Sequence, residues 1–107
     1  MDYQSERQKL IKEMAAIDCM EKGRLTAEYR EVVRDGKPAK KGPYYKHQTW
    51  KNGQNISRRV PREEAEVLKN AVEGYHRFRE LAEDYVETTV QMTRAANDSH
   101  SKKKRQS

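Results

Sequence analysis

Several features that mark common classes of small protein are missing from the sequence. It contains one cysteine, Cys19, which excludes an internal disulfide and agrees with a reducing compartment. No apolar run approaches the roughly 18 residues of a membrane span, and the first residues lack the basic and then apolar pattern of a secretion signal. We therefore expect a cytoplasmic protein of a bacterial or phage-infected cell, with no membrane partner and with the nucleoid as one site of residence.

Residues that carry catalysis or bind metal ions are also scarce. The phosphate-binding loop motif and the glycine-rich dinucleotide motif are both absent. Glu73, His76 and Glu80 have the spacing of one helical face, but a metal site needs further ligands, and no second set occurs. His47 and His100 have no neighbouring ligand types, and the single cysteine has no evident base. We expect a protein that is not an enzyme and holds no cofactor.

Apolar side chains are few for a folded protein. Hydrophobic residues make up 34% and charged residues 37% of the 107 residues, so a single domain of this length has a thin core. Residues 97–107 contain no apolar side chain and cannot offset the entropy of being ordered. We expect one domain with an N-terminal helix over 1–22, a basic three-stranded sheet over 23–61, a long amphipathic helix over 62–96 and a disordered basic tail.

The net charge of +6 is divided unevenly along the chain. Residues 22–61 carry eleven Lys or Arg against three Asp or Glu, a net charge of +8, and residues 97–107 carry +3. Residues 1–21 and 62–96 are acidic, with net charges of −2 and −3. Clustered charge of one sign attracts polyanions, whereas scattered charge mainly gives solubility. The charge pattern therefore indicates a polyanion-binding surface in the sheet segment and the tail.

The pattern of apolar residues changes its period at Gly23. Before this glycine, a capping box of Ser5 with Gln8 and apolar residues recurring on one face predict a helix over residues 5–22. After it, the apolar residues stand at alternate positions, which predicts a half-buried strand over residues 25–33. The two periods together indicate an α+β fold.

A β-hairpin with an Asn-Gly turn is the clearest local signal in the sequence. Two extended runs, together residues 44–60, flank Asn52-Gly53, which tolerates the positive φ angles of a two-residue turn. This turn predicts an antiparallel ladder that begins with Lys51 opposite Gln54 and continues to Lys46 opposite Arg59. The preceding residues 35–42 contain Asp-Gly and predict a loop.

The predicted ladder divides the hairpin into two faces. One face holds Tyr44, Lys46, Gln48, Trp50, Ser57 and Arg59; the other holds Tyr45, His47, Thr49, Ile56, Arg58 and Val60. We expect the apolar members of the second face to pack on the long helix together with Leu25, Tyr29 and Val33. The alternative is that Trp50 and Tyr44 pack under the helix and the charges only surround them.

A heptad pattern predicts one helix from Pro61 to Ala96, with glutamates in its first turn where the helix dipole favours anions. Such a helix is far longer than the strands that it covers. The apolar face of its C-terminal half must therefore be buried by another element. Either the N-terminal helix or a second copy of the chain can bury it, and the second option makes the protein a homodimer.

Around the hairpin the sequence resembles a bacterial and mobile-element family of small uncharacterised proteins, a domain of unknown function often encoded near transposases. The matching residues are Gly42-Pro43-Tyr44-Tyr45, Gly53, the segment from Ser57 to Pro61, and the segment from Asn70 to Leu81. The resemblance covers roughly residues 23–87. Many members of that family have cysteines spaced like zinc ligands before the Gly-Pro-Tyr-Tyr segment, where this chain has none. The element order is also similar to the arm-binding domain of tyrosine integrases, in which a three-stranded sheet enters the DNA major groove.

Cations beside aromatic rings are typical of nucleic-acid surfaces, because Lys and Arg contact phosphates while Tyr and Trp stack on bases. An antiparallel ribbon also fits the major groove. We predict contacts from Arg30, Lys37, Lys40, Lys41, Tyr44, Lys46, Gln48, Trp50, Lys51, Arg58, Arg59, Lys102, Lys103, Lys104 and Arg105. For the loop lysines, the alternative is a solvated loop that discourages pairing at the sheet edge.

The sequence favours a non-enzymatic nucleic-acid-binding accessory protein of a mobile genetic element or phage, with DNA preferred over RNA as the partner. The alternative is a protein-interaction module, an adaptor or inhibitor that binds a larger nucleic-acid enzyme such as a transposase or nuclease. The first function predicts an affinity for nucleic acid that falls steeply with salt. The second predicts a protein complex that resists nuclease treatment.

Overall fold

The computed structural model describes residues 2–105, and side chains within residues 2–99. Its elements are α1 (Tyr3–Ala15), β1 (Arg24–Arg34), β2 (Lys37–Lys51), β3 (Gln54–Val60) and α2 (Arg62–Arg105). The three strands form one antiparallel sheet in the order β1-β2-β3, which confirms the predicted α+β fold. The chain, treated above as one domain, forms two compact units, Met1–Asp18 with His76–Ser107, and Cys19–Tyr75.

The first helix is shorter than predicted and begins with a different cap. The carboxylate of Asp2 accepts hydrogen bonds from the Ser5 backbone N–H (3.2 Å) and hydroxyl (2.7 Å), so the predicted Ser5–Gln8 capping box is wrong. These hydrogen bonds, the hydroxyl's first, lower the pKa of the Asp2 carboxyl. The predicted end at residue 22 is also wrong, because the helix ends at Ala15.

The residues after α1 leave the helix because their backbone is used elsewhere in the Cys19–Tyr75 unit. The Glu21 N–H donates to the Ala71 carbonyl (2.9 Å), and the Lys22 carbonyl lies 2.8 Å from Nε2 of His47. A helical backbone satisfies its own donors and acceptors, so it cannot offer them to α2 and β2 in this way. Tertiary contacts thus override the helical pattern of this segment.

The loop predicted over residues 35–42 is wrong. Asp35 and Gly36 alone form the turn, with φ angles of 50° and 72°, and β2 begins at Lys37. Positive φ at both central residues is the geometry of a type I′ turn, which joins antiparallel strands directly. The ladder of the second hairpin is confirmed from Lys51 opposite Gln54 to Lys46 opposite Arg59.

An irregularity interrupts the pairing of β1 with β2. Glu28 pairs with Tyr44 and the next pair is Arg30 with Lys41, so Gly42 and Pro43 together stand opposite Tyr29. This extra residue is a β-bulge. Gly42 has a φ of 135°, and a Cβ there would lie 2.9 Å from the Glu28 carbonyl oxygen, so glycine suits the position. The bulge reverses the alternation of β2 side chains between the two sides.

The first part of α2, residues 62–75, covers one face of the sheet. Val60, Ala65 and Val72 are buried there, and half-buried Leu25 and Tyr45 lie beside them. This confirms that the Tyr45 side of the hairpin packs on the helix. His47 belongs to this face and is buried, and the Lys22 carbonyl provides the polar partner that its ring needs.

Three residues expected in this core are exposed instead. Tyr29, Val33 and Ile56 keep 61%, 77% and 45% of their surface in contact with solvent. Tyr29 stands opposite the bulge and Val33 beyond it, while Ile56 is close to the Asn-Gly turn. The core is therefore confined to the middle of the sheet, as expected for a chain with few apolar side chains.

The other unit joins α1 to the later part of α2, which agrees with the N-terminal helix as cover for that part. Leu10 and Leu81 are its buried leucines, and the Arg7 guanidinium donates to the Tyr85 hydroxyl (2.7 Å) and lies 4.9 Å from the ring centroid. The backbone of α2 extends beyond the predicted end at Ala96, since no glycine or proline follows to stop it. Neither described helix combines the length and apolar character needed to cross a membrane.

Candidate nucleic-acid interface

The face of the sheet turned away from α2 is called the basic face below. Paired residues of an antiparallel ladder share a face, and successive residues alternate between faces. The pairing assigns to the basic face Arg24, Thr26, Glu28, Arg30, Val32 and Arg34 of β1, Lys37, Ala39, Lys41, Tyr44, Lys46, Gln48 and Trp50 of β2, and Asn55, Ser57 and Arg59 of β3. Seven of these side chains are cationic and one, Glu28, is a carboxylate.

The bulge decides which lysines join the basic face. Without the extra residue, Lys40 would share a face with Tyr44, and Lys37 and Lys41 would lie on the other side. With it, Lys37 and Lys41 lie on the same side as Tyr44, opposite Arg34 and Arg30. One inserted residue therefore adds a lysine to the basic face and aligns it with the arginines of β1.

Two guanidinium groups lie against one tyrosine ring at the centre of the basic face. The Cζ atoms of Arg30 and Arg59 are 5.0 Å and 4.8 Å from the centroid of the Tyr44 ring, within the range of a cation–π contact. We call these three residues the arginine–tyrosine cluster. With Lys46 and Ser57 the cluster lines an open concavity of about 240 Å³. The cluster gathers positive charge around a space in which an anionic group fits.

The charges of the basic face are not neutralised by nearby carboxylates. Among the described residues, Arg58 pairs with Glu64 at 3.9 Å and Arg77 pairs with Glu80 at 3.5 Å, and neither ion pair includes a cation of this face. Glu28 lines the same concavity as the cluster without forming an ion pair there. The positive potential of the face is therefore available to an external anion.

Trp50 lies on the basic face near the second turn, where it pairs with Asn55, and 76% of its surface is exposed. The alternative in which Trp50 packs under the helix is therefore wrong. Tyr44 is half-buried, and two arginines lie against its ring. Tyr44 thus positions guanidinium groups, and Trp50 is the aromatic ring that remains open to a base or sugar.

The structure brings together most of the contact residues predicted from the sequence. Those on the basic face are Arg30, Lys37, Lys41, Tyr44, Lys46, Gln48, Trp50 and Arg59. Three predicted contacts, Lys40, Lys51 and Arg58, lie on the opposite face, where Arg58 is paired with Glu64. The predicted contacts Lys102, Lys103, Lys104 and Arg105 have side chains outside the described residues.

Arg24 and Arg34, which the sequence places near the loop lysines as further candidates for phosphate contact, also belong to the basic face. Arg24 pairs with Gln48, and Arg34 pairs with Lys37 next to the first turn. A type I′ turn at Asp35-Gly36 places Arg34 directly opposite Lys37, and the Asp-Gly dipeptide is a sequence signal for that turn. The pairing of Arg34 with Lys37 was therefore predictable from the sequence, but the loop predicted over residues 35–42 left it out.

No family model, curated protein or solved structure matches the chain. In the part of the chain that the structure describes, no three His, Cys, Asp or Glu side chains are grouped to hold a metal ion. The chemistry of the basic face is consequently the basis for assigning a function.

Proposed function

We propose that the protein binds nucleic acid through the basic face and acts as a non-enzymatic accessory protein of a mobile genetic element or phage. The observation that carries the proposal is the arginine–tyrosine cluster, in which two guanidinium groups share one ring beside Lys46. Its charges are unpaired among the described residues, and it lies on a face with a single carboxylate. A bound polyanion would place negative charge beside these unpaired cations.

The cluster suits an oxyanion such as a phosphate group. A guanidinium presents a planar set of donors that matches phosphate oxygens, and contact with the Tyr44 ring limits the freedom of both arginines before binding. Less side-chain entropy is then lost when the anion arrives. The other cations of the basic face extend along β1 and β2, which fits a ligand with repeated phosphates.

The position of Trp50 suits a base or a sugar. Tyr44 and Trp50 are six residues apart on β2, which places them about 20 Å apart along the strand. A chain of phosphates that contacts the cluster can therefore also pass Trp50. Stacking on an exposed ring tolerates any base, so this contact adds affinity without demanding a sequence.

Trp50 provides a direct test, because it is the only tryptophan in the chain and is 76% exposed. Addition of a duplex DNA of about 20 base pairs is expected to quench tryptophan emission and shift its maximum to shorter wavelength, since binding removes water from the ring. The measurement is an emission titration run in parallel with the anisotropy of the labelled duplex.

Salt distinguishes phosphate binding from other modes in the same titration. With about four phosphate contacts, the slope of log affinity against log salt is about −3.6, and affinity falls about a hundredfold between 50 and 200 mM salt. Emission should recover as the complex dissociates. Binding seen by anisotropy without any change in emission would place the nucleic acid on another surface and contradict the proposal.

A further inference from the structure

Beyond the bulge, β1 and β2 continue as a two-stranded ribbon, called the arm below. It contains five residue pairs, from Arg30 opposite Lys41 to Arg34 opposite Lys37, and ends at the Asp35-Gly36 turn. β3 pairs with Tyr45–Lys51 of β2 and does not reach the arm. At about 3.3 Å per residue, the paired part of the arm is about 16 Å long. The sheet therefore narrows from three strands to two at the bulge.

The side chains of the arm are open to solvent. Val32 and Ala39 are half-buried, the other paired residues are exposed, and Val33 keeps 77% of its surface in contact with solvent. A two-stranded ribbon without a core contributes little to the stability of a fold. The composition of the arm is therefore better explained by a ligand than by packing.

Two pairs of like charge face each other across the arm. Arg30 is directly opposite Lys41 and Arg34 is directly opposite Lys37, and both pairs belong to the basic face. Directly opposed like charges destabilise an antiparallel pair. No described carboxylate forms an ion pair with these four cations. The repulsion is relieved when an external polyanion lies along the ribbon.

We propose that the arm enters the major groove of B-form duplex DNA with its basic face toward the groove. This inference rests on the proposed function and specifies its ligand. The four cations reach phosphates on both sides of the groove, and the arginines also reach guanine edges, which present two acceptors there. The arginine–tyrosine cluster, at the base of the arm, holds the DNA backbone where the sheet widens.

The width of the arm supports this assignment. Strands are about 4.8 Å apart, and the B-form major groove, about 12 Å wide, admits a two-stranded ribbon. The minor groove, about 6 Å wide, is too narrow, and the major groove of duplex RNA is deep and narrow.

The test compares DNA and RNA duplexes of the same sequence, using the full chain and two variants of equal charge. In the arm variant, Arg34→Ala and Lys37→Ala remove one of the opposed pairs. In the control, Lys40→Ala and Lys51→Ala remove two exposed cations from the opposite face. All four side chains are exposed, so both variants should fold, which circular dichroism checks.

The wild-type protein is expected to bind the DNA duplex at least about tenfold more tightly than the RNA duplex. The arm variant should lose about tenfold or more of its DNA affinity and change little toward RNA, whereas the control should keep the preference for DNA. Equal affinity for both duplexes, or an equal loss on both in the arm variant, overturns the groove assignment and leaves nucleic-acid binding intact. Absence of binding to either duplex overturns the proposed function itself.

Chemical protection locates the arm independently. Dimethyl sulfate methylates guanine N7, which lies in the major groove, and adenine N3, which lies in the minor groove. The wild-type protein is expected to protect guanine N7, and the arm variant should lose that protection at concentrations that still saturate the DNA. Protection confined to adenine N3 would place the arm in the minor groove and overturn the inference.

Discussion

Replacing Arg30, Lys46 and Arg59 together by glutamate is expected to lower the affinity for duplex DNA by about a hundredfold to a thousandfold. These residues surround the concavity of the arginine–tyrosine cluster, so their reversal removes three phosphate contacts and adds repulsion at the same place. Three lost contacts also reduce the slope of log affinity against log salt by about 2.7. Fluorescence anisotropy at several salt concentrations measures both quantities.

The chain offers a matched control for this experiment. Lys40 and Lys51 lie on the opposite face of the same sheet and Lys69 is exposed on α2, and changing all three to glutamate also brings the formal net charge from +6 to zero. Because exposed charges are screened within about 10 Å at ordinary salt, we expect this variant to lose less than about tenfold in affinity. An equal loss in the two variants would mean that binding depends on total charge rather than on the basic face.

Replacing Gly23 by alanine is expected to destabilise the sheet unit by about 3 kcal/mol or more. Gly23 has a φ of 102°, and a Cβ there would lie 2.3 Å from the Gln48 carbonyl oxygen and 2.8 Å from Nε2 of His47. The backbone conformation and the lack of space both oppose a side chain. The His47 ring would also be pushed away from the Lys22 carbonyl, its hydrogen-bond partner in the buried site.

Urea denaturation measures this loss as a lower midpoint, and Gly53→Ala is the appropriate comparison. Gly53 also has a positive φ, 76°, but a Cβ there meets nothing within 4 Å. The comparison variant should therefore lose only about 1 kcal/mol from backbone strain. If the two variants unfold at the same urea concentration, the close approach of Gly23 to β2 does not contribute to stability.

The second hairpin could be predicted from the sequence in full, because its register depends on local chemistry. Asn52-Gly53 favours a two-residue turn, and such a turn determines every later pair of the ladder. The opposition of Lys46 to Arg59, and with it part of the arginine–tyrosine cluster, followed from that turn. Local signals of this kind need no information about the rest of the fold.

The arrangement of the basic face could not be predicted in the same way. Alternation along a strand assigns side chains to faces only while the pairing is regular, and the bulge at Gly42 interrupts it. Similarly, Glu21 and Lys22, which were predicted to be helical, bond to α2 and β2, and the pattern of their own side chains does not reveal these contacts. These misplaced boundaries arise where contacts between distant segments decide the local conformation.

The arginine–tyrosine cluster draws its members from all three strands. Arg30 belongs to β1, Tyr44 to the central β2 and Arg59 to β3. One side chain from each outer strand therefore contacts the same ring on the middle strand. A chain in which either outer strand has detached lacks the assembled site. Ligand occupancy and assembly of the sheet are thus thermodynamically linked, and DNA at a hundred times its Kd would stabilise the native state by about 2.7 kcal/mol. For a protein with so small a core, its own ligand would supply a substantial share of its resistance to unfolding.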